Sequence, residues 1–339
     1  MTRLCILMVV LLGVLGLFGC RGAEDDAEKS QCDITPAGRV ELPKDDGRHS
    51  DEPIEWWYWT GHLKTAEGRR FGFELAFFAA ELIPGQSGQM VHFAVTDIDA
   101  DTFHYDSQVL AGEALAVENG FQFAMLPQTA VGGNGRDTLH GEVDDYVLDL
   151  SLESTKPAVL QHGDGFTEYA FGGYTYYYSR ERMAAAGAIR VGGQTLEVTG
   201  TAWFDHQWGE LGQVTDTGWD WFALQFDDDT EMMLYTLRPE GGDVNLGGSI
   251  TDTDCQTTEL GPEDLKITSL GEWTSPDSGC TYPLGWTVEF GGQGYIVTPV
   301  LEDQELYSVA PAPKYWEGAA TVSGDKTGRA YIELVGYCD

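Results

Sequence analysis

Along much of this chain apolar and polar residues alternate one for one. A β-strand can bury that pattern on one face and a helix cannot. From Phe71 to Phe77 the odd positions are Phe71, Phe73, Leu75 and Phe77, with Gly72 and Glu74 between them. Similar strand-like runs cover 55–63, 89–96, 146–152, 166–179, 196–204, 219–226, 231–238, 284–290, 295–300 and 329–337. Turn signals separate them, among them Asn134-Gly135, Gly192-Gly193, Asp227-Asp228-Asp229 and Gly291-Gly292. This spacing suits antiparallel sandwiches or closed barrels. The 339 residues exceed one small barrel, so two β domains are expected, over 46–195 and 196–339, joined near 193–200. The one short helix expected lies over 180–186.

The first 19 residues read as an export signal: Arg3, an apolar run to Phe18, then Gly19 and Cys20. Leu17-Phe18-Gly19-Cys20 resembles the lipobox of bacterial lipoproteins, which implies cleavage after Gly19 and a lipid on Cys20. Residues 20–45 then form an acidic tether, and the protein is expected at the cell envelope, on the periplasmic or extracellular side. Membrane contact is expected through that anchor only.

Of the 6 cysteines, Cys32, Cys255, Cys280 and Cys338 remain after the signal and the lipid, an even number suited to an oxidising compartment. Cys255–Cys280 is expected as a local staple and Cys32–Cys338 as a tie between the chain ends. Zinc is a weak rival, because no C-x-x-C occurs. With 19 Lys+Arg against 55 Asp+Glu, the formal charge of -36 repels phosphate backbones and excludes nucleic acid as a partner.

Three aromatic-polar blocks carry the chemistry. In Glu55-Trp56-Trp57-Tyr58-Trp59-Thr60-Gly61-His62 an extended backbone puts Trp57 and Trp59 on one face with Glu55, and Trp56 and Tyr58 on the other with His62. Two aromatic faces require two buried environments or a ligand cavity on one side. In Trp203-Phe204-Asp205-His206-Gln207-Trp208, His206 and Trp208 point one way, Trp203 and Asp205 the other. Trp219-Asp220-Trp221-Phe222 begins a hairpin with Trp219 and Trp221 on a common face. Each block also fits an ordinary Trp-rich barrel core.

Other chemistries fail by pattern. There is no G-x-S-x-G nucleophile elbow and no H-E-x-x-H metal motif. Asp97-Ile98-Asp99-Ala100-Asp101 begins like a calcium loop, but Thr102 replaces its glycine and Gln108 its bidentate acid. No metal is expected.

The blocks together resemble the AttH/carotenoid 1,2-hydratase (hydroxyneurosporene synthase) family. The resemblance rests on 55–63, on Tyr176-Tyr177-Tyr178-Ser179-Arg180 followed by 200–209, on 219–222 and on the closing 331–337, and it spans nearly the whole mature chain. It implies an all-β fold of two lipocalin-like antiparallel β-barrel domains. It also implies a cofactor-independent hydratase or cyclase acting on an apolar isoprenoid-type small molecule. Hydration of an unactivated alkene needs a carboxylic acid kept protonated by burial, and aromatic faces to stabilise the tertiary cation. Asp205 is the first candidate acid and Asp220 the second. His206 is the candidate relay, and Trp57, Trp59, Trp208 and Trp221 form the candidate cation wall. Where the hydratases are expected to carry Tyr-x-Asp, this chain has Tyr235-Thr236-Leu237, so Tyr235 is kept and the acid is not. The other reading is a non-catalytic envelope lipoprotein that binds or shuttles an apolar ligand beside an ABC-type exporter.

Overall fold

The computed structural model describes residues 32, 36–83, 85–211, 218–239, 243–307 and 314–338. The expected signal segment and Cys20 lie outside them. The alternating runs become strands, except that 166–179 is a hairpin whose turn at 169–173 separates two strands. The first sheet holds β1 (Ile54–Lys64), β2 (Arg70–Ile83), β3 (Gln86–Asp97), β4 (Thr102–Ala111), β5 (Phe121–Met125), β6 (Gln128–Gly133), β7 (Arg136–Val143), β8 (Tyr146–Ser154), β9 (Val159–Leu160), β10 (Phe166–Glu168), β11 (Tyr174–Val191) and β12 (Gln194–Glu210). The second holds β13 (Trp219–Phe226), β14 (Glu231–Leu237), β15 (Asn245–Thr251), β16 (Thr257–Leu260) and β17 (Leu265–Ser269). After a separate hairpin of β18 (Glu272–Thr274) and β19 (Thr281–Pro283), it adds β20 (Trp286–Phe290), β21 (Gln293–Pro299), β22 (Glu305–Leu306), β23 (Tyr315–Gly324) and β24 (Gly328–Val335).

Both sheets are antiparallel and close nearly into barrels, as in lipocalin-like folds. Their topology repeats: in each, the last strand returns to pair with the first, β12 with β1 and β24 with β13. The inner faces are packed cores. Trp57, Trp59, Phe73, Phe77 and Phe93 fill the first barrel, and Phe222, Trp286, Tyr295 and Trp316 the second. Each such side chain contributes about 1.5–3 kcal/mol on burial.

A third cluster forms where the outer faces of the two barrels meet, with Tyr58, Tyr177 and Trp203 on one side and Trp221, Met233 and Tyr331 on the other. Gly72 allows the close approach: a Cβ there would come within 2.8 Å of the Ala319 Cβ on the other barrel. At one end of this seam Lys156 and Arg182 of the first barrel both pair with Glu231 of the second.

Three expectations are corrected. Residues 180–186 are not helical but belong to β11, whose backbone is taken up by β12 and β8 on its two sides. Met183 and Ala185 are buried while Ala184 and Ala186 are exposed, so the alanine run follows the strand period. The chain leaves the first sheet after Glu210, not near 193–200, because Gly192-Gly193 is the hairpin turn between β11 and β12. The disulfides are Cys32–Cys255 and Cys280–Cys338, not Cys255–Cys280 and Cys32–Cys338. β16, β17 and β18 intervene between Cys255 and Cys280, so nearness in sequence does not bring them together. The acidic run 97–101 is the turn between β3 and β4, with Asp97 paired to Arg69 and Asp99 to Arg70.

Candidate functional site

Period two sends alternate residues of β1, β11 and β12 to the outer face of the first barrel, where the second barrel covers them. Ser179, Asp205, Tyr58 and Ala76 form one row across β11, β12, β1 and β2. Tyr177, Gln207, Trp56 and Phe78 form the next. Opposite them, Tyr235, Trp221, Glu333 and Glu317 form a row across β14, β13, β24 and β23.

Between these rows lies a hollow of about 410 Å³. Trp56, Tyr58, Tyr177 and Asp205 line it from the first barrel, and Trp219, Trp221, Tyr235 and Glu333 from the second. Leu237 and His162 complete part of the wall. The walls are mostly apolar, and two carboxyls face one another's barrels across the space.

Asp205 is 3% exposed. Its Oδ2 accepts from the Tyr177 hydroxyl at 2.7 Å and its Oδ1 from Trp203 Nε1 at 2.8 Å. Burial pushes its carboxyl up to about 7, against the hydrogen bonds from Ser179, Tyr177 and Trp203 that hold it down. Glu333 accepts from Trp219 Nε1 at 3.1 Å. Burial pushes it up to about 7 as well; the Trp219 bond opposes this and the charge of Asp205 adds to it. Both acids are therefore partly protonated near neutral pH, the condition for a carboxyl to serve as a general acid.

More acids stand behind the wall. The Tyr58 hydroxyl donates to Glu317 at 2.5 Å, and the Tyr315 hydroxyl lies 2.6 Å from His92 Nδ1 and 3.4 Å from Glu74. Burial pushes Glu74 up to about 8 and Glu317 well above the usual carboxylate range. It pushes His92 down to about 4, so that imidazole is neutral. Three tyrosines of the hollow thus each rest against a buried carboxyl.

The sequence-derived residues divide by face. Asp205, Tyr235 and Trp221 line the hollow. His206, Trp57, Trp59 and Trp208 do not; they point into the core of the first barrel. His206 Nε2 lies 2.8 Å from Glu55 and its ring stacks on Trp57 at 4.5 Å. Glu55 also meets His49 Nδ1 at 2.8 Å and pairs with Arg48. Burial raises the Glu55 carboxyl, but the bonds from His206 and His49 outweigh it and hold the group at about 2. The ligand atoms of His49, Glu55 and His206 lie within 4.8 Å of one another, close enough for a cation. Arg48 already supplies the positive charge there, so the set reads as a satisfied network. Asp220 is turned away from the hollow, paired with Arg238 at 2.5 Å and bonded by Tyr337 at 2.8 Å.

The family model described as AttH-like matches residues 33–337. The chain belongs to the AttH-like family. Among solved structures, an AttH protein from Nitrosomonas europaea is 28% identical, covering 90% of this chain and 100% of its own, with a TM-score of 0.81. Kievitone hydratase from Nectria haematococca is 17% identical over 91% of this chain and 97% of its own, with a TM-score of 0.75. CghA, in a structure with Sch210972, is 12% identical over 84% of this chain and 89% of its own, with a TM-score of 0.55. At these identities the last two establish likeness of fold. A search of curated proteins finds no match.

Within this AttH-like chain, Glu333, Tyr177 and Trp56 are site residues that the motif reading left unassigned. A signal for Glu333 was present: in Tyr331-Ile332-Glu333-Leu334 the acid alternates with core residues on a strand that pairs with the Trp221 strand. It supplies an acid to the wall in which Leu237 stands.

Proposed function

We propose that this protein is a cofactor-independent enzyme that hydrates or cyclises an apolar isoprenoid-type alkene in the hollow between its barrels. The supporting observation is the Asp205 carboxyl, buried in the wall of an apolar cavity and raised to about 7. In this reading Asp205 transfers its proton to one alkene carbon, and the other becomes a tertiary cation. The faces of Trp56 and Trp221 stabilise that cation. Water adds to it, and the proton it releases returns to a wall carboxylate, which leaves the enzyme unchanged. For cyclisation a second double bond replaces water as the nucleophile, and the new cation it forms loses an adjacent proton to the Asp205 carboxylate, giving a cyclic alkene and restoring the acid.

Leu237, at the position where an acid was expected, favours a second reading: a binding protein for the same class of ligand. Under it the protein is an envelope lipoprotein anchored through Cys20, delivering its ligand to an ABC-type exporter. The two disulfides suit that oxidising location.

The test is mass spectrometry of small molecules that co-purify with the protein, followed by incubation of the recovered compound with wild type and Asp205→Asn. Gain of 18 mass units (one water), or ring closure, with wild type and not with the variant is the expected result. Retention of the compound without conversion by either protein rejects the enzyme and leaves the binder.

A further inference from the structure

The charge lining the hollow has one sign. Among the described residues no Lys or Arg contributes to its wall, whereas Asp205 and Glu333 do. The imidazole of His162 is there too, but burial pushes it down to about 4 and it is neutral. Glu74 and Glu317 stand behind the wall, completely enclosed. The nearby guanidinium of Arg238 is committed to Asp220, to the Tyr337 hydroxyl and to the Val335 carbonyl.

The ring arrangement has a matching bias. Tyr58 and Trp221 meet edge to face with centroids 5.4 Å apart, and Trp203 stands edge to face against Trp221 at 5.9 Å. Trp219 and Trp221 project from the same face of β13, and Glu333 is the cross-strand neighbour of Trp221 on β24. Indole faces beside a carboxylate, in a mostly apolar hollow, form the surroundings that bind organic cations. A neutral hydrocarbon would offer the ionised form of Glu333 no counter-charge, and an anion would be repelled by it.

We propose that the ligand of the hollow is an apolar molecule bearing one ammonium group, held by Glu333 beside the indoles of Trp219 and Trp221. The proposal rests on the hollow being the ligand site and narrows the substrate class stated above. Glu333 then determines specificity, while Asp205, on the opposite barrel, remains free to donate its proton to the apolar part of the same molecule.

The experiment is a tryptophan-fluorescence titration of the full-length protein with three probes that share one chain, each below its micelle concentration. They are decyltrimethylammonium, decanol and decyl sulfate, in enough salt to screen the acidic surface. The expected result is binding of the ammonium about tenfold or more tighter than decanol, with no binding of the sulfate. Glu333→Gln removes that preference, whereas Glu333→Asp keeps most of it. Equal affinity for ammonium and alcohol overturns the proposal and leaves the hollow as a ligand site. So does a preference that survives Glu333→Gln. Failure of all three probes to alter fluorescence overturns the hollow itself as the site.

Discussion

The indole of Trp221, on the second barrel, donates to the hydroxyl of Tyr177, on the first, across 3.1 Å. The same hydroxyl donates onward to Asp205 at 2.7 Å. A donor from one barrel therefore supports the acid of the other, and the acidity of Asp205 depends on how the two barrels are seated together.

Replacement of Tyr177 by Phe tests that chain. The Tyr177 bond stabilises the ionised form of Asp205 and opposes the burial that raises it to about 7. Its loss favours the neutral form, so the carboxyl moves further up. Carboxyl carbon NMR across pH, with Asp205→Asn to assign the signal, reads this directly. A midpoint that stays in place or moves down contradicts the relay.

The buried acids also set the pH dependence of stability. Asp205 and Glu333 are raised to about 7, and Glu74 and Glu181 to about 8. The unfolded chain releases these protons near pH 4, so the folded state binds more protons up to about pH 8, and stability falls as pH rises. Below pH 6.5 an opposite effect competes: His62, His92 and His162 are pushed down to about 4 and stay neutral where the unfolded chain protonates. The histidines offset only part of the loss, so stability falls gently from about pH 4.5 to 6.5 and more steeply above it, each acid still protonated contributing on the order of 1.4 kcal/mol per pH unit. Calorimetry should show Tm falling by several degrees between pH 6.5 and 8.5, and Glu74→Gln should flatten that limb. A Tm that climbs over this range would refute the assignment.

His206 is expected to matter for stability and not for ligand binding. Its imidazole lies in the core of the first barrel against Glu55, on the far side of β12 from the hollow. His206→Ala removes one of three cationic or donor groups around a fully buried carboxylate. The expected cost is about 3 kcal/mol of stability, with probe quenching at Trp221 intact. Lost quenching with an unaltered denaturation midpoint would place His206 in the ligand site after all.

Local alternation made much of this legible. It paired Trp57 with Trp59, set Asp205 opposite His206, and gave Trp219 and Trp221 a common face, because a strand reverses direction at every residue. It could not tell which face is the site. In an isolated barrel the inner face holds the ligand; here the hollow lies between outer faces, and that choice depends on one barrel covering another. Glu74 illustrates the difference. Its place among Phe71, Phe73, Leu75 and Phe77 reads as the solvent side of a half-buried strand, yet it is 0% exposed because β23 and β24 of the second barrel close over it. No short-range signal carries that contact. The cysteine pairs are a similar case, since only the path of the chain decides which thiols meet.

The Cys32–Cys255 bond joins residues separated by 223 positions and ties the segment before the first barrel to the turn between β15 and β16 of the second. A crosslink of that span restricts the unfolded chain strongly, by about 5 kcal/mol in the loop-entropy account. Cys280–Cys338 closes a loop of 58 positions and holds the end of the chain to the β18–β19 hairpin. The difference between them in the loop-entropy account is small, so position in the fold decides what each protects. Removal of the first by Cys32→Ser with Cys255→Ser should lower Tm by several degrees and increase proteolysis in the segment before β1. The second pair of serines should instead loosen the C-terminal end of β24. Peptide mapping without reduction checks the connectivity at the same time: a peptide linking Cys255 to Cys280 would overturn the arrangement and return the pairing that nearness in sequence suggests.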